Sequence, residues 1–258
     1  MWAKFAYATY KPRLVRHHYG AYDLTMAVID AKSALSFDRD FQELPDLNFP
    51  AQHGLVPGAR VINVGANQGL LPMLLARMVA PNGFVWAIEP GIRRATAANR
   101  NLQLNQIGNC EVINTAFAAI DNSSPATQTT DRTLSLSRRA VEDKLVPVIT
   151  LDSMLVNVGR PDVVTIDVAG VECAILEGAR KMLHQVPDWF IEVHCGIGQE
   201  KHDGSLEKLF AFFPAETYQV FVRELRARDF RECRSVGDIP RERFVLIALG
   251  KKCRGTAH

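Results

Sequence analysis

The stretch VINVGANQGLLPMLLARMVA, Val61 to Ala80, constrains this chain more than any other. A β-branched run, Val61 to Val64, meets two glycines, Gly65 and Gly69, and then an apolar pattern of helical length. A strand that passes through glycines straight into a helix is the entry unit of a parallel α/β sheet. Glycine can take a positive φ or admit a ligand against bare backbone, and a helix start offers unpaired N–H groups to that ligand. The spacing is GxxxG rather than GxGxxG, so a tight packing turn accounts for the two glycines as well as a ligand does.

Alternation continues downstream. The helix over 70–80 stops at Pro81–Gly83, and a strand over 84–88 runs into Glu89-Pro90-Gly91. A helix around 93–105 and a strand over 111–116 follow. The polar segment 119–144, rich in Ser and Thr, reads as an insertion or loop with short strands. Beyond it come a strand over 162–168, a helix over 171–184, a strand over 189–194 and a short helix over 206–213. Strands over 218–223 and 244–249 close the chain without a long helix between them, which predicts an antiparallel edge. The fold class is therefore α/β, a mostly parallel Rossmann-like sheet with helices on both faces.

At 258 residues, 47% hydrophobic and 22% charged, the chain suits one large globular domain over 55–258. An N-terminal arm and lead-in over 1–54, with a strand at Tyr22–Asp30, precedes it. The basic run KPRLVRHH, Lys11 to His18, lies among Tyr7, Tyr10 and Tyr19 and reads as a solvated arm, the alternative being an anionic-ligand or membrane-surface patch. A formal charge of +2 argues against a nucleic-acid binder. Five cysteines without CxxC pairing are neither a disulfide framework nor a zinc site, which predicts a reducing cytoplasm. No apolar run has transmembrane length, and the N-terminus lacks the order of a signal peptide.

In such sheets ligands sit beyond the carboxyl ends of the strands, here Gly65, Glu89, Ala116, Asp167 and His194. Glu89 follows Gly69 by twenty residues, where a carboxylate can accept from both hydroxyls of a ribose; an acid before proline also serves simply as a helix-entry residue. Asn67 and Gln68 fill the loop with polar side chains, which suits a cofactor with an amino-acid tail better than a diphosphate.

Together VINVGANQG, FVWAIEP, NRNLQLN, TLDSML, DVVTIDVAGVECAILEGARKML and WFIEVH resemble the FkbM-type S-adenosylmethionine-dependent methyltransferases, over roughly Leu55 to His194. The resemblance implies a class I methyltransferase fold, a seven-stranded sheet with an antiparallel final strand, and S-adenosylmethionine as cofactor. It also implies transfer to a hydroxyl of a sugar, polyketide or other metabolite. Carried over by position, Gly65, Ala66, Asn67 and Gly69 line the cofactor and Glu89 holds its ribose. Asn114, Thr115 and Ala116 lie near the adenine, or are ordinary strand-end residues. Asn63 stands where the family commonly has Asp, which keeps a hydrogen-bonding group but loses a charge near the cofactor's cationic end. In TIDVAGVE, Thr165 and Ala169 replace the family's lysine and glutamate, while Asp167 and Glu172 remain.

Methyl transfer from a sulfonium needs alignment, and an alcohol acceptor also needs its proton removed by a base or a metal. In WFIEVH a period of two puts Phe190, Glu192 and His194 on one face and Trp189, Ile191 and Val193 on the other. The catalytic candidates are His194, Asp167 and Glu192. His194 is the first choice for base because its ordinary pKa lies near neutrality, with a structural hydrogen bond as the alternative. Asp167 binds cofactor, orients the acceptor or caps its strand; Glu172, in a first helical turn, is favoured there by the helix dipole alone. The spacing of Asp167, Glu192 and His194 is compatible with a divalent ion without being diagnostic of one, and no metal is predicted. His17, His18 and His202 read as solvent-exposed, and Trp189 as core.

The leading expectation is an S-adenosylmethionine-dependent O-methyltransferase acting on a small-molecule, sugar or glycolipid-like acceptor. Thr165 and Ala169 keep open a non-catalytic cofactor- or partner-binding domain. A nicotinamide-dependent oxidoreductase is disfavoured by the incomplete glycine pattern.

Overall fold

The computed structural model of the chain describes residues 10–128, 134–135, 146–195 and 204–251. His202, Tyr7 and most of the Ser/Thr-rich segment lie outside the described residues. The chain opens with a hairpin, β1 (Arg13–Tyr19) and β2 (Tyr22–Val28), then helices α1 (Ala31–Phe37) and α2 (Pro45–Ala51). The central run is β3 (Arg60–Val64), α3 (Leu70–Val79), β4 (Phe84–Ile88), α4 (Ile92–Leu104) and β5 (Cys110–Ile113). A small sheet combines β6 (Ala116–Phe117), β7 (Asn122–Gln128), β8 (Leu134–Ser135) and β9 (Val146–Ile149). Helix α5 (Leu151–Val158), β10 (Val163–Ile166), α6 (Glu172–Glu177), α7 (Arg180–His184) and β11 (Asp188–Val193) follow. The chain ends with α8 (Leu206–Ala211), β12 (Tyr218–Glu224), β13 (Arg231–Glu232) and β14 (Phe244–Gly250).

The main sheet has the order β13-β12-β14-β11-β10-β3-β4-β5. Strands β11, β10, β3, β4 and β5 are parallel, and β14 runs antiparallel between β11 and β12. The seven expected strands are present, with two-residue β13 added beside β12. Strand order reverses direction between β3 and β10, so the carboxyl ends of these two strands open the switch-point cleft.

Strand periodicity assigns each residue to a layer. Ile62, Val64, Val164, Ile166, Trp189 and Val193 face one core; Val61, Val163, Phe190, Val245 and Ile247 face the other, under α3 and the N-terminal hairpin. Trp189 is fully buried, as its position on the apolar face requires.

Three elements depart from the sequence reading. The basic arm is not a free segment: Lys11 to His18 contributes most of β1, in which Val15, His17 and Tyr19 turn inward while Arg16 and His18 turn outward. Alternation of β-branched and aromatic residues with charge outweighs the run of like charge. The lead-in before β3 contains α2, started by Pro45 at its first turn with Asp46 beside it. The helix expected over 171–184 is two helices separated at Gly178–Ala179.

Candidate functional site

Gly65 has φ +95 and ends β3 against β10; a Cβ there would lie 2.2 Å from the carbonyl oxygen of Asp167. Gly69, at φ +92, packs on the Cα of Ala98. Both glycines are thus demanded by the fold before any ligand is considered. Between them Asn67 also takes a positive φ, 51, and its backbone N–H donates to Glu89 Oε2 at 2.8 Å. Glu89 Oε1 accepts from the Gly91 N–H at 2.9 Å, so one buried carboxylate at the end of β4 holds two loops.

Gln68 turns away from the cleft. Its Oε1 accepts from Ile29 N–H at 3.0 Å and its Nε2 donates to Asp30 Oδ2 at 2.7 Å, which ties the glycine loop to the N-terminal hairpin. Asn101 completes that tie, accepting from Ala27 N–H and donating to the Gln68 carbonyl, both at 2.7 Å. Of the two polar loop residues only Asn67 faces the cleft. Thr115 and Ala116 are buried against β9, Thr115 Oγ1 donating to the Pro147 carbonyl at 2.8 Å; neither lines the cavity described below. Asn114 Nδ2 donates to the carbonyls of Glu89 and Pro90, both at 2.8 Å, and so braces the β4 end.

Asn63 and Thr165 are in direct register on β3 and β10, and both are buried. Asn63 Nδ2 donates to Thr165 Oγ1 at 2.8 Å, while Asn63 Oδ1 has no partner among the described residues. Two of the three departures from the family pattern therefore form one hydrogen-bonded pair.

At the ends of β10 and β11, Asp167, Glu192 and His194 converge as alternation requires, with one ligand atom from each lying within 4.8 Å of the others. His194 is buried. Its backbone N–H and its Nδ1 both meet Glu172 Oε1, at 3.1 and 3.0 Å, and its Nε2 points to Asp167 Oδ1 at 3.9 Å. Nδ1 thus engages Glu172 and Nε2 faces Asp167, while His194 itself is not among the residues that line the cavity described below. Glu192 is ion-paired to Arg243. Burial pushes the Glu192 carboxyl up to about 7, with the Asp167 carboxylate adding and Arg243 and His194 opposing. These three residues could hold a divalent ion.

A cavity of about 450 Å³ joins the two regions. Gly65, Ala66 and Asn67 form one wall and Thr165, Asp167 and Glu192 another; α1, α2 and their connection close it with Phe37, Phe41, Leu44 and Leu47. Sequence reasoning missed this apolar roof, the Arg243 partner and the grip of Glu172 on His194. Only Glu172 carried a readable signal, its place three residues after the strand-end turn.

A parallel sheet with an antiparallel strand between its last two members, and a glycine loop and strand-end acid at its switch point, define a Rossmann-like class I methyltransferase. Within that class the chain belongs to the FkbM methyltransferase family: the family model described as "Methyltransferase FkbM domain" matches residues 63–231. No curated protein matches it significantly. A solved FkbM methyltransferase from Methylobacillus flagellatus KT is similar at 16% identity and TM-score 0.49, over 74% of this chain and 43% of that one. The chain thus spans less than half the length of that relative. A SAM-dependent O-methyltransferase from Thermotoga maritima is similar at 14% identity and TM-score 0.46, over 95% of this chain and 79% of that one. A SAM-dependent methyltransferase from Aquifex aeolicus gives 14% and 0.45, over 79% and 88%. Among the described residues no helix is long and apolar enough to cross a membrane.

Proposed function

We propose that this chain transfers the methyl group of S-adenosylmethionine to a hydroxyl oxygen of a small-molecule, sugar or glycolipid-like acceptor. One observation carries the reading: a single cavity is walled on one side by the Gly65–Asn67 loop and on the other by Asp167 and Glu192, so donor and acceptor groups meet in one space. Glu89 receives the ribose hydroxyls, while the backbone of Gly65, Ala66, Asn67 and Gly69 passes beside the cofactor's amino-acid end. Thr115 and Ala116, buried behind the β5 end, support the adenine region rather than touch it. Asn63, with Oδ1 uncommitted, is an acceptor for the cofactor's cationic end.

In the metal-free protein His194 Nε2 takes the acceptor's hydroxyl proton, and Glu172 holds the ring in the tautomer that can do so. Asp167 and Glu192 orient the hydroxyl. The sulfonium C–S bond breaks as the O–C bond forms, and S-adenosylhomocysteine leaves. The apolar roof supports an acceptor with an apolar portion, and the domain that does this work is read as 55–258, with 1–54 as its N-terminal arm and lead-in. Cys110, Cys173 and Cys233, free of disulfides, support a reducing, cytoplasmic setting.

Calorimetric titration with S-adenosylmethionine and S-adenosylhomocysteine tests the reading. Both should bind, and Glu89→Gln should weaken both by roughly 10- to 150-fold, the ~1.5–3 kcal/mol of a charged acceptor lost. Wild-type protein that binds neither would sink the proposal. His194→Ala should reduce turnover with cofactor affinity unchanged; full activity in that variant would remove His194 as the base.

A further inference from the structure

We infer that Asp167, Glu192 and His194 form a binding site for one divalent cation of the Mn²⁺ or Zn²⁺ class at the acceptor end of the cavity. Its chemical consequence rests on the methyl-transfer reading; the site itself does not. Parallel pairing of β10 with β11 sets Ile166 beside Ile191, which brings Asp167 and Glu192 side by side at the strand ends. Strand alternation then returns His194 to the same face. Two carboxylates and one imidazole are a ligand set that suits borderline divalent ions.

The spacing fits an ion. With metal–ligand bonds of about 2.0–2.2 Å, ligands at right angles sit about 3 Å apart and opposed ligands about 4.3 Å apart. The Asp167 Oδ1 to His194 Nε2 separation, 3.9 Å, falls between these and is too long for a hydrogen bond.

Two further observations point to a ligand. Asp167 Oδ1 is buried and has no partner among the described residues, and it lies beside a His194 side chain that is only 4% exposed. Buried polar atoms without partners are rare unless something else occupies them. Nδ1 of His194 is bonded to Glu172, a fully buried carboxylate, and this carboxylate–histidine arrangement is how metal-binding imidazoles are oriented. Arg243 engages Oε1 of Glu192, and the Glu192 carboxyl also meets that of Asp167. With an ion held there, His194 would serve as ligand instead of base, and the ion would supply Lewis acidity that lowers the pKa of the acceptor's hydroxyl, whose proton would leave to water.

Mn²⁺ titration of the full chain without S-adenosylmethionine, with free ion read by electron paramagnetic resonance, tests the site. One ion should bind per chain, and His194→Gln and Asp167→Asn should each weaken binding at least about 10-fold. Glu172→Gln, acting only through ring orientation, should weaken it about 10- to 100-fold. His18→Ala, in the distant hairpin, should leave it unchanged. A spin-echo measurement on wild-type protein should show one imidazole nitrogen coupled to the bound ion, a result independent of whether any variant folds. No binding up to about 1 mM free ion, the weak limit of built oxygen-rich sites, overturns the inference. So does binding without nitrogen coupling, or binding undiminished in both ligand variants. Mn²⁺ binding in a protein that binds no S-adenosylmethionine would keep the site and remove methyl transfer. The reverse would remove the site and leave His194 as base.

Discussion

If Asn63 and Thr165 replace a buried acid and base as a matched unit, restoring either charge alone should be costly and restoring both should not. The two residues face each other in register on adjacent strands, joined by a 2.8 Å hydrogen bond, with relative exposures of 0% and 4%. Asn63→Asp places a carboxylate beside a hydroxyl with no cation on the partner strand. Thr165→Lys places an ammonium against an amide at the cavity wall. An uncompensated buried charge costs about 3–5 kcal/mol, whereas a well-paired one is close to neutral against the uncharged pair. Each single variant should therefore lose about 3 kcal/mol or more, and the double variant should recover at least about 2 kcal/mol relative to the sum of the singles. Urea unfolding at pH 7, followed by tryptophan fluorescence and by circular dichroism, measures all four corners of the cycle. At this chain length each kcal/mol corresponds to roughly 2–4 °C in Tm, so thermal scans give an independent reading. Additive losses in the double variant would refute the reasoning, because two charges in register at this distance cannot ignore each other.

Other expectations are as direct. Gly65→Ala sets a methyl group 2.2 Å from the Asp167 carbonyl at φ +95; it should unfold the protein or lower Tm by several degrees, and an unchanged Tm would show that the loop is free to move. Loop 38–41 should be held to the hairpin in a pH-dependent way. The hydrogen bond to Asp38 raises His17 against an opposing effect of burial, so this contribution is full below about 6.5 and is lost as pH rises through the elevated value. Burial alone would raise Asp38, but hydrogen bonds from His17 and Arg13 outweigh it, while the His18 N–H and then His17 lower Asp40; their contribution is full above about 3.9 and fails below it. Protection of the Phe41 N–H, bonded to the His18 carbonyl at 2.8 Å, should peak between those limits in hydrogen exchange and flatten in His17→Ala. A flat wild-type profile would dissociate the loop from these charges.

What could be read from the sequence followed the distance over which its causes act. Strand–helix alternation and the facing of Phe190, Glu192 and His194 are local, set by periods of 2 and 3.6, and the structure places them where those periods require. Glu89 was legible as a strand-end acid, but its two backbone partners, Asn67 and Gly91, depend on how two loops meet. The arm Lys11 to His18 misled because composition spoke louder than its alternation. Asp38 and Asp40, more than twenty residues on, neutralise that run by pairing with His17 and Arg13. Gln68 was misassigned for a similar reason: its partners, Ile29 and Asp30, belong to a segment that sequence alone left unattached to the loop.

The same separation bears on the non-catalytic alternative, which drew on Thr165 and Ala169. Thr165 is accounted for by Asn63: an acid and a base are exchanged for an amide and a hydroxyl on paired strands, so formal charge in the sheet is conserved and a hydrogen bond remains. Thr165 thus has a structural partner of its own in this chain. Ala169 alone stands, in the turn between β10 and α6, buried at 7% exposure. The turn still delivers Glu172 to His194 with two contacts near 3 Å, and Asp167 and Glu192 still meet that histidine. A site released from function would have no reason to keep a buried, unpartnered Asp167 Oδ1 beside an anchored imidazole. Desolvating that bare oxygen costs stability unless a substrate or an ion repays it. Ala169 is buried and does not line the cavity, so its small side chain leaves the arrangement of Asp167, Glu192 and His194 as it stands.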